Sequence, residues 1–293
     1  MSAAAGRTVP PATGFAWLTE HRYLVLGVLG AVWLLVWYVL PIVLMLGRFV
    51  ADGEFLRVAS LSAIEQSLYL RVYTNTFKIA LVVTAECLIL GYIAAYALYI
   101  LPTRVAAALM ALVLVPFWVS IIVRTYALLV VLGRNGLVNQ SLIDLGVVSA
   151  PLRMMFTTEA VYIGMAQALL PFMVLSVYSA LRGIDPNLPL AARALGAGSV
   201  RIFTRIVFPL SLPGVWGGSL LVFILALGYF ITPALVGGPR DVMVAQIIHQ
   251  RAVLQGDFAI AILMSVPLLV ITLALVAGFN RYLGLDRIWG GRA

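Results

Sequence analysis

The chain has 293 residues, of which 63% are hydrophobic and only 10% are charged. Soluble domains carry about 25% charged residues, so this composition excludes a water-soluble fold and predicts an all-α membrane protein. The formal net charge is +8, but the arginines mostly flank apolar runs and form no basic stripe with interleaved aromatic residues. We therefore expect a lipid bilayer, and no nucleic acid, as the surroundings of this chain.

Six apolar stretches are long enough to cross about 30 Å of hydrocarbon at 1.5 Å per residue. They are residues 23–46, 74–101, 104–132, 159–181, 209–236 and 258–279. The first is too long for the apolar part of a cleaved signal peptide, so we expect a retained anchor. The sequence thus predicts a six-helix transmembrane domain over residues 23–281, with an N-terminal segment, 1–22, and a C-terminal tail, 282–293.

The distribution of arginine indicates how the spans are oriented. Six spans place both termini on one side, and with that side in the cytoplasm ten arginines fall on inside segments and seven on outside segments. Cytoplasmic segments carry the excess of Lys and Arg in membrane proteins. We therefore expect both termini in the cytoplasm, together with the connection 182–208 between the fourth and fifth spans.

Helix-disturbing residues occur in several spans. Pro116 and Pro267 are expected to interrupt the third and sixth spans, and the fifth span carries several glycines and prolines. Such residues either allow close helix packing or mark an irregular backbone beside a translocation path. The sequence leaves both interpretations open.

The connection 182–208 contains the signals of two short helices. Asp185 can cap free backbone N–H groups and Pro186 suits a first helical position, so a helix is expected to begin there. Its strong helix-forming run ends at Gly196, which accepts a left-handed conformation. Ser199 is expected to cap a second helix, which meets the membrane at Pro209.

The first of these helices, from Pro186 to Leu195, is expected to lie in water with a small apolar face and Arg193 at its edge. An amphipathic helix of this kind fits a groove in a partner protein. We therefore expect this segment to exchange force with a soluble partner, as one subunit of a larger machine.

At these residues the sequence resembles the transmembrane permease subunits of binding-protein-dependent ATP-binding-cassette importers. Their cytoplasmic signature is Glu-Ala-Ala, three residues, Gly, nine residues, Ile, one residue and Leu-Pro. Five positions match: Ala191, Ala192, Gly196, Ile206 and Pro209. Phe208 stands in place of Leu, and Leu190 in place of Glu. The resemblance implies that the following residues couple the chain to an ATPase: Asp185, Leu190, Ala191, Ala192, Arg193, Gly196, Ile206 and Pro209.

Further segments are similar to the spermidine/putrescine-type branch of that family. They are residues 116–126, 133–139, 156–160, 170–173 and 228–239, so the resemblance extends over most of the chain from Asn75 onward. This branch favours a polyamine as the transported solute. It also includes permeases for opines, amino-acid-like solutes, phosphonates and metal complexes, and these remain alternatives.

The resemblance implies an importer subunit of the bacterial inner membrane that works by alternating access. A periplasmic binding protein would deliver the solute to a path formed with a second permease, expected to differ from this chain. Two ATP-binding-cassette ATPases would carry the ATP and Mg²⁺. On this chain itself we expect no enzyme activity, cofactor or metal, because no phosphate-binding Gly-x-x-x-x-Gly-Lys-Ser/Thr, metal-ligand spacing or nucleophile–base pair occurs.

Two charges inside the spans, Glu86 and Arg124, are candidates for the solute path, whereas Lys78 is expected to extend to the membrane interface. A charge at the bilayer centre costs about 3 kcal/mol, so Lys78, Glu86 and Arg124 are expected to face a cavity, a partner or the interface. Glu86 either forms a transient counter-charge for a cationic solute or pairs with Lys78, Arg124 or the second permease. Further path candidates are Trp118, Tyr126, Tyr162, Tyr229 and Phe230, with Asp241 in the outer connection.

Two functions of other classes would require features of their own in the sequence. An autonomous ion-coupled carrier predicts paired acidic residues at mid-membrane and repeated halves, and neither is evident. A membrane-embedded enzyme or assembly factor would need catalytic residues that the sequence does not show. The importer subunit is therefore the function that the sequence favours.

Overall fold

Helices form most of the chain described by the computed structural model, which covers residues 22–51, 53 and 62–283. In chain order they are α1 (Arg22–Ala51), α2 (Ala63–Ile100), α3 (Thr103–Trp118), α4 (Ile121–Leu132), α5 (Leu137–Asp144), α6 (Thr158–Arg182), α7 (Asn187–Ala194), α8 (Ser199–Leu227), α9 (Ile231–Val236), α10 (Val244–His249) and α11 (Phe258–Leu283). A π-helical turn, Phe203–Val207, lies inside α8, and a second, Gln250–Leu254, continues α10.

Six helices in the described part of the chain are long and apolar enough to cross a bilayer. They are Leu26–Ala51, Glu65–Ile100, Ile121–Asp144, Thr158–Arg182, Ser199–Leu227 and Phe258–Arg281. The predicted all-α membrane fold with six transmembrane helices is confirmed. The chain divides into two units, and α1, a 30-residue helix that contains Pro41, lies in the first.

The core of the second unit, which contains α2 to α11, is built around α6. This helix packs against both α2 and α8. Its fully buried side chains recur every four residues: Met165, Leu169, Met173 and Val177. This spacing places them on one helix face, so α6 is the element to which the other spans attach.

A glycine allows α8 to approach α6 closely. A Cβ atom on Gly214 would lie 2.4 Å from the Cβ of Ala180 and 2.7 Å from the carbonyl oxygen of Ser176. The Ser176 hydroxyl donates a hydrogen bond of 2.8 Å to the Gly214 carbonyl across the same contact. At this position the small residue of the fifth span therefore serves helix packing.

The third span is divided where α3 ends at Trp118 and α4 begins at Ile121. Pro116 lies inside the last turn of α3, and the break follows it at Val119 and Ser120. Proline can end a helix because it lacks a backbone N–H and crowds the preceding turn. The expected interruption by Pro267 is wrong, since α11 continues through this residue without a break.

The fifth span differs from its prediction at both ends. α8 begins at Ser199 and continues to Leu227, so the expected separate second helix is instead the first part of the span. Ser199 does not cap it, because the N-cap is Gly198 and makes no side-chain hydrogen bond. Pro209 has no N–H to donate, and the ladder widens into a π turn just before it.

The end of the fifth span was also placed too late. Gly228 ends α8, and the predicted remainder, up to residue 236, forms the separate short helix α9. The backbone is therefore broken at Gly228 to Phe230, close in sequence to the aromatic pair Tyr229-Phe230. This is the kind of irregularity that the sequence associated with a path.

α2 is longer than the predicted second span. Ser62 and Glu65 form a capping box, in which the Ser62 N–H donates to a Glu65 carboxylate oxygen at 3.0 Å and the Glu65 N–H donates to the Ser62 hydroxyl at 3.3 Å. Residues 63–73, assigned by the sequence to a connection, are therefore helical. The predicted terminal segments, 1–22 and 282–293, lie outside the described residues except for residue 22 and residues 282–283.

The helices of the second unit have two ends, the α7 end and the α10 end. The α7 end comprises the turn between α2 and α3, α7 itself and the start of α8. The α10 end comprises the start of α2, the segment 133–157 with α5, and the segment 228–257 with α9 and α10. Each span runs from one end to the other, so the two ends lie on opposite sides of the membrane.

Candidate functional site

α7 begins and ends at the residues that the sequence indicated, to within one position. An Asp185 carboxylate oxygen accepts a hydrogen bond of 2.9 Å from the Asn187 N–H at its start. Gly196 has a φ of +82°, and its N–H donates to the Arg193 carbonyl at 3.0 Å. The capped helix and its glycine turn are therefore present as predicted.

Few side chains attach α7 to the spans. None of its own residues is buried, and the buried anchors are Ile184 before it and Ile202 after it. Ala192 and Ala197 pack partly against the main core. The side chains of Leu190 and Leu195 are 59% and 89% exposed, so α7 presents an accessible apolar surface.

The predicted coupling residues are divided between two helices. Leu190, Ala191, Ala192 and Arg193 lie on α7, and Ala191 and Arg193 are exposed. Ile206 is half-buried in the π turn of α8, and Pro209 is exposed just after it. The signature therefore covers one exposed helix and the first turns of a span.

Aromatic side chains hold the π turn of α8 against α2. The ring of Phe203 lies edge-on to that of Tyr96, with centroids 4.9 Å apart. The hydroxyl oxygens of Tyr92 and Ser211 are 3.0 Å apart and share a hydrogen bond. These contacts join the start of α8 to the span beside it.

A cavity of about 730 Å³ opens between α6 and α8 beside α7. Small residues, Ser176, Ala180, Gly214 and Gly217, form part of its lining, and Asp185 lies at the same cavity. The small residues of the fifth span thus border open space as well as a close helix contact, and a translocation path beside them stays a prediction.

Glu86 lies in the apolar part of α2 and is half-buried. In the part of the chain that the structure describes, it forms no ion pair with Lys78 or Arg124, and no hydrogen bond to its carboxylate is found. Tyr162, on α6, lies within electrostatic range of three acidic groups, Asp241, Glu86 and Glu159. Two of these, Asp241 and Glu86, are path candidates.

Asp241 stabilises the connection between α9 and α10 through hydrogen bonds of its carboxylate. It is 3% exposed, and its two carboxylate oxygens accept hydrogen bonds from the Thr158 hydroxyl at 2.6 Å and the Gly238 N–H at 2.8 Å. These bonds tie the connection after α9 to the first turn of α6. Its carboxylate is thus already engaged by two donors.

Arg124 spans the break in the third span. Its guanidinium donates hydrogen bonds to the carbonyl oxygens of Pro116 and Val119 at the end of α3, and the Pro116 carbonyl also accepts one from the Val119 N–H. Tyr229, at the break after α8, lies within electrostatic range of Arg124. The structure therefore brings the two helix breaks, and one path candidate from each, close together.

A pair of threonines joins the same two breaks and was missed from the sequence. The hydroxyl oxygens of Thr125 on α4 and Thr232 on α9 are 3.3 Å apart, and both side chains are buried. A Cβ on Gly164 of α6 would lie 2.6 Å from the Thr232 methyl group. Two hydroxyls inside apolar spans were the only signal, and their pairing depends on tertiary contact.

The remaining aromatic candidates lie apart from these groups. Trp118 is 89% exposed and Tyr126 is 54% exposed, so both face outward from the described helices. The Phe230 ring contacts the His249 ring, with centroids 4.5 Å apart. The eight candidates are therefore not gathered at one site, since Trp118 and Tyr126 face outward and Phe230 contacts His249 apart from the others.

Most of the chain is similar to a known family of membrane proteins. Residues 87–284 match the model of the family described as binding-protein-dependent transport system inner membrane component. This match covers every described helix from the middle of α2 onward, including α7.

Individual relatives extend the match. The spermidine/putrescine transport system permease protein PotB of Escherichia coli strain K12 is 35% identical over 246 residues, which are 82% of this chain and 90% of that protein. PotB of Haemophilus influenzae is 32% identical over 256 residues, 85% of this chain and 90% of the relative. Both similarities cover the coupling segment and both helix breaks.

A solved structure shows the same fold. It is a chain of a bacterial alginate ABC transporter in complex with a periplasmic protein bound to alginate pentasaccharide. The TM-score is 0.70, and the match covers 96% of this chain and 99% of that chain at 16% identity. At this identity the similarity concerns the arrangement of helices.

Proposed function

Because the chain belongs to the family of binding-protein-dependent transport system inner membrane components, we propose that it is the permease subunit of an ATP-driven importer for a polyamine such as spermidine or putrescine. A periplasmic binding protein delivers the solute, which passes between this chain and a different second permease by alternating access. The observation that carries the solute class is the 35% identity with the E. coli spermidine/putrescine permease.

Coupling to the ATPase is assigned to the α7 end. α7 is short, capped at both ends and attached by few side chains, and it exposes Leu190 and Leu195. These properties suit a helix that enters a groove on another protein. The ATP and Mg²⁺ are held by the two ATPases, and the contact made by α7 transmits their closure to the spans.

The same assignment sets the orientation of the chain. The α7 end lies in the cytoplasm together with both termini, and the α10 end faces the periplasmic binding protein. Counted with both termini, ten arginines fall on this side and seven on the other, which supports this orientation. The arrangement places the two partner-binding surfaces at opposite ends of α8.

Glu86 supports a cationic solute on chemical grounds. It lies eight residues beyond Lys78 on α2, about 12 Å deeper along the helix axis. A carboxylate at this depth without an ion pair in the described chain is costly unless something compensates it. The ammonium groups of a polyamine provide that compensation while the solute passes.

Reconstitution of the complete transporter tests this function. The chain, the second permease and the ATPases are placed in proteoliposomes with their binding protein, identified by gene neighbourhood, and uptake of radiolabelled spermidine is measured. ATP-dependent uptake is expected from the complete complex and none from the chain alone. Uptake by the chain alone would instead indicate an ion-coupled carrier.

A second experiment identifies the class of solute that the binding protein recognises. The binding protein is heated with polyamines, opines, amino acids, phosphonates and metal complexes in turn, and its unfolding temperature is recorded. The largest rise is expected with a polyamine, because a ligand that binds only the folded state raises its stability. A rise with another class alone would retain the importer and replace its solute.

A further inference from the structure

A second cavity, of about 860 Å³, opens at the α10 end. It lies between the first turns of α2 and the segment that runs from Pro239 to Arg251. Neither the coupling segment nor the path candidates line it. We call it the outer cavity.

The walls of the outer cavity are held by hydrogen bonds between α2 and the segment opposite. The Asn75 side-chain amide donates to the Val242 carbonyl at 3.0 Å, and the Val244 N–H donates to the Thr76 hydroxyl at 2.9 Å. A small buried core of Val244, Ile260 and Met264 lies behind them. The cavity is therefore preformed, which lowers the entropic cost of binding.

Its lining is strongly basic. Arg71, Lys78, Arg240 and Arg251 contribute four positive charges, and Glu65 contributes one negative charge. The Glu65 carboxylate accepts hydrogen bonds from Ser62 in the capping box. The cavity therefore has a net positive charge, which attracts anionic groups.

Three of these cations are available to a ligand. Arg251 is engaged, since it lies 3.8 Å from an Asp257 carboxylate oxygen and donates to the Tyr69 hydroxyl at 3.3 Å. Arg71, Lys78 and Arg240 are exposed and make no hydrogen bond or ion pair within the described residues. Each of them can therefore bind a carboxylate or phosphate.

The position of the outer cavity along α2 separates these two ligands. Residues 79–100 carry one charge, Glu86, and span about 33 Å, which matches the hydrocarbon layer. Lys78 thus lies at its boundary, and Glu65 lies about 20 Å further out. The headgroup layer is only about 5–8 Å thick, so most of the cavity lies beyond lipid phosphates and faces water.

We propose that the outer cavity is the docking site for a carboxylate-bearing projection of the periplasmic binding protein. The proposal rests on the proposed function, which supplies that partner and orients the α10 end toward it. A polyamine is repelled by these charges, so the outer cavity holds the partner while the solute passes elsewhere.

The test measures binding of the solute-loaded binding protein to the complete transporter in nanodiscs of zwitterionic lipid. The variant is Arg71→Gln/Lys78→Gln/Arg240→Gln, and its thermal unfolding is compared with that of the wild type to check folding. The dissociation constant is expected to rise about tenfold and to depend less on salt. Charge reversal by Arg240→Glu is expected to weaken binding further.

A control removes cations from the same end but not from the cavity. Arg134 and Arg153 are exposed in the segment between α4 and α6 and do not line the outer cavity. Arg134→Gln/Arg153→Gln is expected to change the dissociation constant less than about threefold. An Asp→Arg or Glu→Arg change in the binding protein that restores affinity to Arg240→Glu identifies the paired carboxylate.

Four results overturn the proposal. They are unchanged affinity and salt dependence in the triple variant, an equal loss in the control, a loss that appears only when the nanodiscs contain phosphatidylglycerol, and the failure of every charge reversal to restore Arg240→Glu. The third of these identifies a lipid site. If the wild-type complex binds no periplasmic protein, the proposed function is contradicted as well. If the wild-type complex binds it normally and one of these four results is obtained, only the docking site is contradicted.

Discussion

The two ends of the second unit present different chemistry to their surroundings. At the α7 end, α7 and its C-cap expose the large apolar side chains of Leu190 and Leu195 beside arginines such as Arg193. At the α10 end the outer cavity is lined by Arg71, Lys78 and Arg240. Both surfaces belong to segments between spans, so their difference comes from side chains and not from the type of backbone.

This difference matches two kinds of association. Apolar contacts hold a partner without depending on salt, and they suit a subunit that stays bound through many cycles. Charged contacts increase the association rate and are screened by salt, and they suit a partner that arrives and leaves in each cycle. Under the proposed function, the α7 end would therefore suit an ATPase and the α10 end a binding protein.

The largest effect is expected from a proline at the glycine turn that follows α7. Gly196 has a φ of +82° and its N–H bonds to Arg193, whereas proline fixes φ near −65° and has no N–H. Gly196→Pro should abolish ATP-dependent uptake while the chain still inserts into the membrane. Uptake is measured in proteoliposomes, and insertion by membrane fractionation.

Gly146 provides a matched control at the α10 end. Its φ is +70°, and its N–H donates to the Ile143 carbonyl at 2.9 Å. Gly146→Pro therefore imposes the same strain at the opposite end and should retain most of the uptake. Equal loss in both variants would show that general misfolding, and not the position of α7, explains the first result.

Removing the exposed leucines of the α7 end should weaken attachment of the ATPase. Leu190→Ser/Leu195→Ser removes apolar surface worth about 2 kcal/mol on burial, which is roughly a thirtyfold loss in affinity. Affinity is measured by titrating the ATPase onto the permease pair in nanodiscs. Leu145, which is 76% exposed at the α10 end, supplies the control Leu145→Ser, and an equal loss there would contradict the docking role.

Salt should distinguish the two ends. Raising NaCl from about 50 to about 300 mM should weaken binding of the periplasmic protein about tenfold and change ATPase affinity less than about twofold. Both titrations use the same nanodisc complex. If salt weakened binding of the ATPase and of the periplasmic protein equally, the proposed difference between an apolar and a charged binding surface would be contradicted.

The smallest effect is expected between the two ends, at Glu86. Glu86→Gln removes the carboxylate without changing its size, and the apparent affinity for spermidine uptake should fall about fivefold. Asp144, exposed at the end of α5, supplies the control Asp144→Asn. Unchanged affinity in Glu86→Gln would indicate that this carboxylate contacts the second permease instead of the solute.

Local signals in the sequence were sufficient for the α7 end. Asp185, Gly196 and the helix-forming run between them act through bonds within a few residues, so their effect can be deduced without the fold. The apolar spans were equally clear, because length and composition define them. The ends of the spans were less clear. Pro209 suggests that a new helix begins there, but the helix continues into it through a π turn with wider hydrogen-bond spacing.

The α10 end could not be deduced in this way. Arg71 and Arg240 are separated by more than half of the chain, and the sequence indicated only that each flanks an apolar run. Likewise, Thr125 and Thr232 meet only because α4 and α9 pack together. Contacts of this kind depend on tertiary structure, which no local pattern specifies.

The continuity of α8 has a mechanical consequence. Its 29 residues run from the turn after α7 to the break at Gly228, a length of about 43 Å. α8 contacts α6 at Gly214, about 21 Å before Gly228, so a tilt of about 5° about this contact displaces the Gly228 end by about 2 Å. Under the proposed function, closure of the ATPases against α7 would therefore move the aromatic pair Tyr229-Phe230, with the contact on α6 as the pivot.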